Sequence, residues 1–225
     1  MAEPSPVPRS PVARSPIAPA PPEAVVAGWA VSGRRSAAAL TLTDHTLLAK
    51  VAVKASWDGA MAEILGVRFG RAARQSWELD GSTRDVLLTG SGPGEWLVLA
   101  APGQQDPVVD WLKKSAARAG ELVTVVDVTH GRALVRLTGA QSPDLLAKEC
   151  GIDLDDAVCP DGSALRSALA GVATDLVRED LQGVRSYLLH CERSSGQYLF
   201  DSLLDAGGEF GAEVDGFVPP GTDSS

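Results

Sequence analysis

The chain has 225 residues, 44 % of them apolar, and a formal net charge of −9. That length supports one large domain or two small ones, and no apolar run approaches the roughly 20 residues a membrane helix needs. The charge is uneven, +2 through residue 140 and −11 after it. This disfavours nucleic acid as a partner, because its affinity rests on neutralising phosphates with Lys and Arg.

In chain order, residues 1–22 come first, with Pro4, Pro6, Pro8, Pro11, Pro16, Pro19, Pro21 and Pro22. This composition predicts a disordered, polyproline-like tail, without the continuous apolar stretch of a secretory signal. A first half follows over 23–120 and holds all five tryptophans. Ala37 to Thr43 and Leu47 to Ala55 read as strands with Asp44-His45-Thr46 as the turn. Ser56 is the expected cap of a short helix that stops at Gly66. Asp85 to Thr89 and Trp96 to Ala100 read as strands around Gly90-Ser91-Gly92-Pro93-Gly94-Glu95, and Asp106 and Pro107 start the next helix.

The second half, 121–211, opens with strands over Leu122 to Thr129 and Arg132 to Thr138 on either side of His130-Gly131. Ser142-Pro143-Asp144 starts a helix with Leu145, Leu146 and Cys150 facing inward. Three strands are expected over 164–169, 172–178 and 185–191, then a helix from Ser195 to Gly207-Gly208. Residues 212–225 read as a second disordered tail. Strands and helices mix without regular βαβ alternation, so the expected fold class is α+β, in two mainly antiparallel sheet-plus-helix halves.

Chemical candidates are sparse. Gly90-Ser91-Gly92-Pro93-Gly94 lacks the lysine and following helix of a phosphate loop and reads as a hairpin turn. His190 and Cys191 are neighbours on a strand and point to opposite faces, so they cannot work as a base and its nucleophile. His130 lacks partners at metal spacing. Asp153, Asp155 and Asp156 lack the remaining positions of a calcium loop. Cys150, Cys159 and Cys191 form no Cys-x-x-Cys pair and read as reduced thiols of a soluble cytoplasmic protein. No catalytic, metal or cofactor constellation emerges from the residues themselves.

Several runs carry a resemblance: Gly92-Pro93-Gly94-Glu95-Trp96-Leu97-Val98-Leu99, Val126-Asp127-Val128-Thr129-His130-Gly131-Arg132 and Leu137-Thr138-Gly139-Ala140. Asp144 to Cys150, Ile152-Asp153-Leu154, Arg193-Ser194-Ser195 and Glu209-Phe210-Gly211 continue it in the same order. Over roughly residues 23–211 the chain resembles the γ subunits of heterotetrameric sarcosine oxidases. The resemblance implies a fold similar to the folate-dependent aminomethyltransferase of glycine cleavage. It further implies a cofactor-free γ subunit packed on the α subunit. Flavins, NAD, zinc and tetrahydrofolate are then expected on the α, β and δ partners.

In the aminomethyltransferases a glycine, two small residues and an Asp-Asp pair set a carboxylate against folate. The matching stretch here is Gly171-Val172-Ala173-Thr174-Asp175-Leu176, so Asp175 keeps the second acidic position and Thr174 replaces the first. The chain contains no asparagine for the folate-gripping segment. The expected function is a non-catalytic γ-type subunit of a sarcosine oxidase complex. The alternative is a free-standing folate-binding protein or one-carbon transferase that uses Asp175.

Overall fold

A computed structural model describes residues 11–218. The order begins with β1 (Ala13–Arg14), β2 (Glu23–Val26), β3 (Trp29–Ser32), β4 (Thr41–Asp44), β5 (Ala49–Lys54) and α1 (Ala60–Leu65). It continues with β6 (Ala72–Leu79), β7 (Ser82–Gly92), β8 (Glu95–Ala100), α2 (Gln105–Ala119), β9 (Thr124–Asp127), β10 (Arg132–Thr138) and α3 (Ser142–Glu149). The rest is β11 (Ala164–Leu169), β12 (Val172–Arg178), β13 (Ser186–Glu192), α4 (Gly196–Ala206) and β14 (Glu213–Asp215).

The strands form two large sheets, five-stranded in the order β6-β7-β8-β5-β9 and six-stranded in the order β11-β12-β13-β10-β4-β14, beside a small three-stranded one, β1-β3-β2. The two large sheets are antiparallel except where β14 runs parallel to β4. The central strands β5, β8, β10 and β13 are apolar on both faces, which stacks the molecule in four layers. Val51, Val53, Val86, Leu88 and Val98 pack against Met61, Leu65, Val108 and Leu112 of α1 and α2. Leu87, Leu97 and Leu99 meet Leu134, Val177 and Leu188 between the sheets. Val135, Leu137, Leu176 and Leu189 pack beneath Leu145, Leu146, Leu199 and Leu203 of α3 and α4.

Strand pairing crosses the expected boundary near residue 120. β4 lies in the first half of the sequence but pairs with β10, and β9 lies in the second half but pairs with β5. The chain therefore crosses between sheets twice, once through 45–48 and once through 128–131. Asp44-His45-Thr46, expected as the turn between two strands, and His130-Gly131, expected between two strands, are these crossovers from one sheet to the other.

The two crossings are built alike. Asp44 Oδ1 accepts the Thr46 N–H at 2.9 Å, and Asp127 Oδ1 accepts the Thr129 N–H at 2.8 Å. Each threonine then serves the opposite crossing: Thr46 Oγ1 accepts from Leu134 N–H at 3.1 Å and Thr129 Oγ1 from Lys50 N–H at 3.0 Å. Each hydroxyl stands in for a ladder carbonyl at the point where the strand leaves one sheet for the other.

Parts of both expected tails are structured. β1 pairs with β3, and Ile17 is buried against the α4 layer. β14 extends the six-stranded sheet, and Phe217 packs edge-on to His45 between the sheets. An apolar side chain every few residues suffices to anchor such segments, which proline content conceals. Residues 1–10 and 219–225 of those tails lie outside the described residues. Ser56 does not cap α1: Gly59 takes that position, and Glu121 Oε1 accepts the Met61 N–H at 2.8 Å. Asp106 lies within the first turn of α2 rather than at its cap, Gln104, where its charge still favours the helix dipole.

Candidate functional site

The two sheets splay apart at one end, leaving a cavity of about 430 Å³. From the six-stranded sheet come Arg166 on β11, Asp175 on β12 and His190 on β13, which lie directly opposite one another across the register. Adjacent strands in register bring such side chains together on one face. From the other sheet come Ala52 and Lys54 of β5, and Glu95, Trp96 and Leu97 of β8.

The charges join into one chain across the cavity. Lys54 Nζ reaches Glu95 Oε1 at 2.7 Å, Arg166 Nη1 stands 3.6 Å from Glu95 Oε2, and Arg166 Nε and Nη2 both donate to the Asp175 carboxylate, the latter at 3.3 Å. His190 Nδ1 lies 3.4 Å from Asp175 Oδ2. Beside them Arg132 pairs with Glu192 at 2.6 Å.

Burial pushes the Asp175 carboxyl up, but the His190 and Arg166 contacts outweigh it and hold its pKa below the ordinary 3.8. Burial holds the His190 imidazole below its ordinary value, with Asp175 opposing. At neutral pH the pair is therefore a carboxylate and a neutral imidazole. Nδ1–H points to Asp175, and Nε2 is left as an acceptor, buried and without a partner among the described residues.

The sequence singled out Asp175 through the resemblance, and the structure places it in this cavity beside Glu95 and Glu192, with partners that reading along the chain did not give. His190 appeared only beside Cys191. The structure sends Cys191 to the helix-covered face, where burial pushes its thiol up to about 11. Among the described residues no hydroxyl or thiol hydrogen-bonds to the His190 imidazole. The carboxylate that would grip a folate is already taken by Arg166 and His190, and the cavity offers no asparagine. The residues present do not fit the folate site of the aminomethyltransferases.

The remaining candidates have structural duties. His130 stacks on Trp29 with ring centroids 4.8 Å apart. Asp156 reaches Arg178 at 2.6 Å and Arg185 at 2.7 Å, while Asp153 and Asp155 hold local turns. Gly90 and Gly94 serve close packing: a Cβ at Gly90 would fall 2.3 Å from Arg68 O, and one at Gly94 2.4 Å from Ala55 O.

One buried group had no sequence signal beyond its alternation with Val51 and Val53. Lys50 is fully buried between the sheets, and its Nζ donates to the Thr46 carbonyl and, at 2.9 Å, to that of Leu48. Burial lowers its pKa to about 7, with Asp44 and Asp127 opposing.

Comparison with known proteins accords with this architecture. The family model of the GCVT N-terminal domain matches residues 78–218. The sarcosine oxidase subunit gamma of Corynebacterium sp. (strain P-1) is 27 % identical over 154 residues, 68 % of this chain and 71 % of that protein. The mitochondrial dimethylglycine dehydrogenase of Homo sapiens is 23 % identical over 129 residues, and the match spans only 15 % of that protein's length.

Among solved structures, a chain of the heterotetrameric sarcosine oxidase from Corynebacterium sp. U-96 in complex with pyrrole 2-carboxylate superposes with a TM-score of 0.61 at 21 % identity. That match covers 78 % of this chain and 88 % of the other. The glycine cleavage system aminomethyltransferase T from Bartonella henselae gives 0.66 at 18 % identity, covering 86 % of this chain and 55 % of the other. The mostly antiparallel sheets and flanking helices are those of the aminomethyltransferase fold.

Proposed function

The chain belongs to the family of the GCVT N-terminal domain, and from that premise we propose that it is a non-catalytic γ-type subunit of a flavin-dependent heterotetrameric sarcosine oxidase. In this reading the complex oxidises sarcosine to glycine with production of hydrogen peroxide, and passes the one-carbon unit to tetrahydrofolate. It works in the cytoplasm. Flavins, nicotinamide cofactor, zinc and folate reside on the α, β and δ subunits, with α the direct neighbour of this chain.

The observation that carries the reading is the state of Asp175. A carboxylate held by Arg166 and His190 is a structural ion pair, and the cavity pairs its other charges as well. A chain that keeps the fold while its binding groups satisfy one another is left with its surface as its instrument. The similarity to the Corynebacterium γ subunit, over most of both chains, supports the same assignment. A free-standing folate protein needs Asp175 available to its ligand, and the Arg166 contact opposes that.

Affinity purification of the tagged full chain from its native cells tests the proposal. The expected result is co-purification, at fixed stoichiometry, with large flavin-bearing chains and with sarcosine oxidation in the recovered complex. The chain alone is expected to be colourless and without affinity for tetrahydrofolate in calorimetry. A chain that remains monomeric, ignores flavin subunits and binds tetrahydrofolate overturns the subunit reading and favours the alternative.

A further inference from the structure

The two large sheets have four edges, and three of them are blunted. β14 is only three residues long, with Glu213 and Asp215 engaged by Arg34 and Ser36. β11 carries Arg166 at its middle, tied into the cavity network. β6 carries Arg74 and Glu78, and its first residue, Ala72, donates its N–H to Gly162 O at 2.8 Å. Charges, shortness and covering loops are the devices by which soluble proteins keep strand edges from pairing.

β9 is four residues long and its one charge, Asp127, stands at its far end, so the stretch leading into it lacks a charged or covered edge. The run Leu122-Val123-Thr124-Val125-Val126 holds no charge, proline or glycine, and β-branched residues fill four of its five positions. Such a segment has high pairing tendency. Its hydrogen-bond phase follows from the register: Val51 lies opposite Asp127, and Val128 N–H donates to Lys50 O at 2.9 Å. In an antiparallel ladder the groups alternate, so Thr124 and Val126 bond to β5. The N–H and C=O of Val123 and Val125 then point away from the sheet, and no hydrogen bond from a described residue reaches them.

The open edge continues into an apolar surface. Glu121 holds the first turn of α1, which sets Leu122 beside the Ser56–Gly59 turn that carries Trp57. Leu122 is 91 % exposed, Trp57 71 % and Val126 47 %. Trp57 rims a groove of about 880 Å³ whose other side is Phe69, 62 % exposed, and whose floor is Trp96, with its indole N–H on Val67 O at 2.7 Å. The close approaches at Gly90 and Gly94 fix the two segments that bear these aromatics. Aromatic side chains rigidly held in water are the composition of an interface core.

We propose that a partner polypeptide adds a strand to the five-stranded sheet along β9 and seats an apolar side chain against Leu122 and Trp57. The inference rests on the subunit reading above and names the surface that reading needs. The charge of the edge states the partner's chemistry. Its lone charged strand residue is Asp127, so the added strand carries Lys or Arg opposite that end and uncharged β-branched or aromatic residues opposite Val123 to Val126. Main-chain hydrogen bonds to Val123 and Val125 supply affinity, and the Leu122–Trp57 surface supplies specificity.

Amide-resolved hydrogen exchange on the full chain, alone and in the complex purified from its native cells, tests the proposal. The Val123 and Val125 amides are expected to slow about tenfold or more in the complex, while the amides bonded to β5 change little. Two variants complete the test. Val125→Pro removes an outward N–H without touching the ladder to β5, as edge strands tolerate. Leu122→Lys adds the missing charge at a solvent-exposed position, where folding is unaffected. Each is expected to keep the thermal midpoint within a few degrees and weaken partner binding about tenfold or more.

If Val125→Pro unfolds the chain, Leu122→Lys alone decides. A complex that forms with unchanged exchange over 122–127, and that Leu122→Lys assembles as well as the wild type, overturns the β9 proposal and leaves the subunit reading standing. Exchange at Val123 and Val125 that slows with the chain's own concentration, without a partner, overturns it in favour of a second copy. Failure to recover any partner subunit overturns the subunit reading itself.

Discussion

The seam between the sheets ends in charge on both sides, and its two ends behave differently. The inward positions of β12 and the residue after it run Asp175, Val177, Glu179, and those of β10 run Arg132, Leu134, Arg136. Polar ends thus flank an apolar middle along the same strands. At the open end the cations are half in water, with Arg166 53 % and Lys54 66 % exposed. At the closed end Arg136 is 8 % and Glu179 11 % exposed, with Arg74 and the Ser186 hydroxyl completing the set. One pattern of alternation therefore yields a screened surface network at one end and a desolvated ion pair at the other. What separates them is cover: the Arg74 side chain of β6 closes over Glu179 at 2.6 Å, whereas the open end is crossed by the looser, half-exposed Arg166–Glu95 contact at 3.6 Å.

That contrast breaks most readily at the closed end. Glu179→Ala leaves Arg136 buried without its counter-charge and is expected to cost roughly 3–5 kcal/mol, read as a lower urea midpoint at unchanged slope. The double change Arg136→Met with Glu179→Leu should recover much of the loss, because apolar groups of similar volume replace buried ion pairs well. A single mutant as stable as wild type would show that the closed end is wetter than its geometry implies.

Lys50 gives the next largest effect, and a pH-dependent one. Its folded pKa of about 7 lies below the ordinary 10.5, so the unfolded chain binds the extra proton between those values. Stability contributed at this site is lowest below pH 7 and rises toward pH 10.5. Measured against Lys50→Met, the wild type should gain a few kcal/mol across that window; a flat difference would mean that Lys50 stays charged throughout.

The open end should respond least. Arg166→Ala is expected to change stability by about 1 kcal/mol or less, since exposed pairs are screened. Asp175→Asn should cost slightly more, because it also removes the His190 contact. The Asp175 carboxyl titrates below 3.8 when folded, so its contribution is present above that value and fades as pH falls through the folded pKa. An Asp175→Asn deficit unchanged in acid would contradict the ion-pair assignment.

Local signals in the sequence located most strands and several of the boundaries between elements. Gly66, the Gly90–Gly94 turn and Ser142-Pro143-Asp144 all mark real boundaries, because each depends on backbone chemistry within a few residues. β6 was illegible: Ala-Ala-Arg-Gln-Ser-Trp-Glu-Leu is a polar edge strand whose alternation is masked by its solvent side. The turns at the crossovers were legible, but which sheet each following strand joins was not, for a deeper reason. Asp-x-Thr and His-Gly bend the chain equally well into a hairpin or into another sheet, and the choice rests on Leu134 and Lys50, whose amides bond to threonines 88 and 79 positions away. The site follows the same rule. Asp175 was legible through resemblance, but its contact with His190 is a matter of strand register, which adjacent residues do not encode.

The paired crossovers also set the order in which a ribosome can deliver this fold. When the first 120 residues have emerged, β4 has no sheet to join and β5 lacks its β9 neighbour, so the nascent chain holds exposed ladders at both. The six-stranded sheet gains β10 next but waits for β14, near residue 215, to close its far side. Half-molecules cut between α2 and β9 would each lack a strand that the other carries. Mixed together, they should regain structure only by trading those strands, a form of complementation in which neither piece serves as the template alone. Such long-range pairing favours slow, all-or-none folding over stepwise assembly of domains.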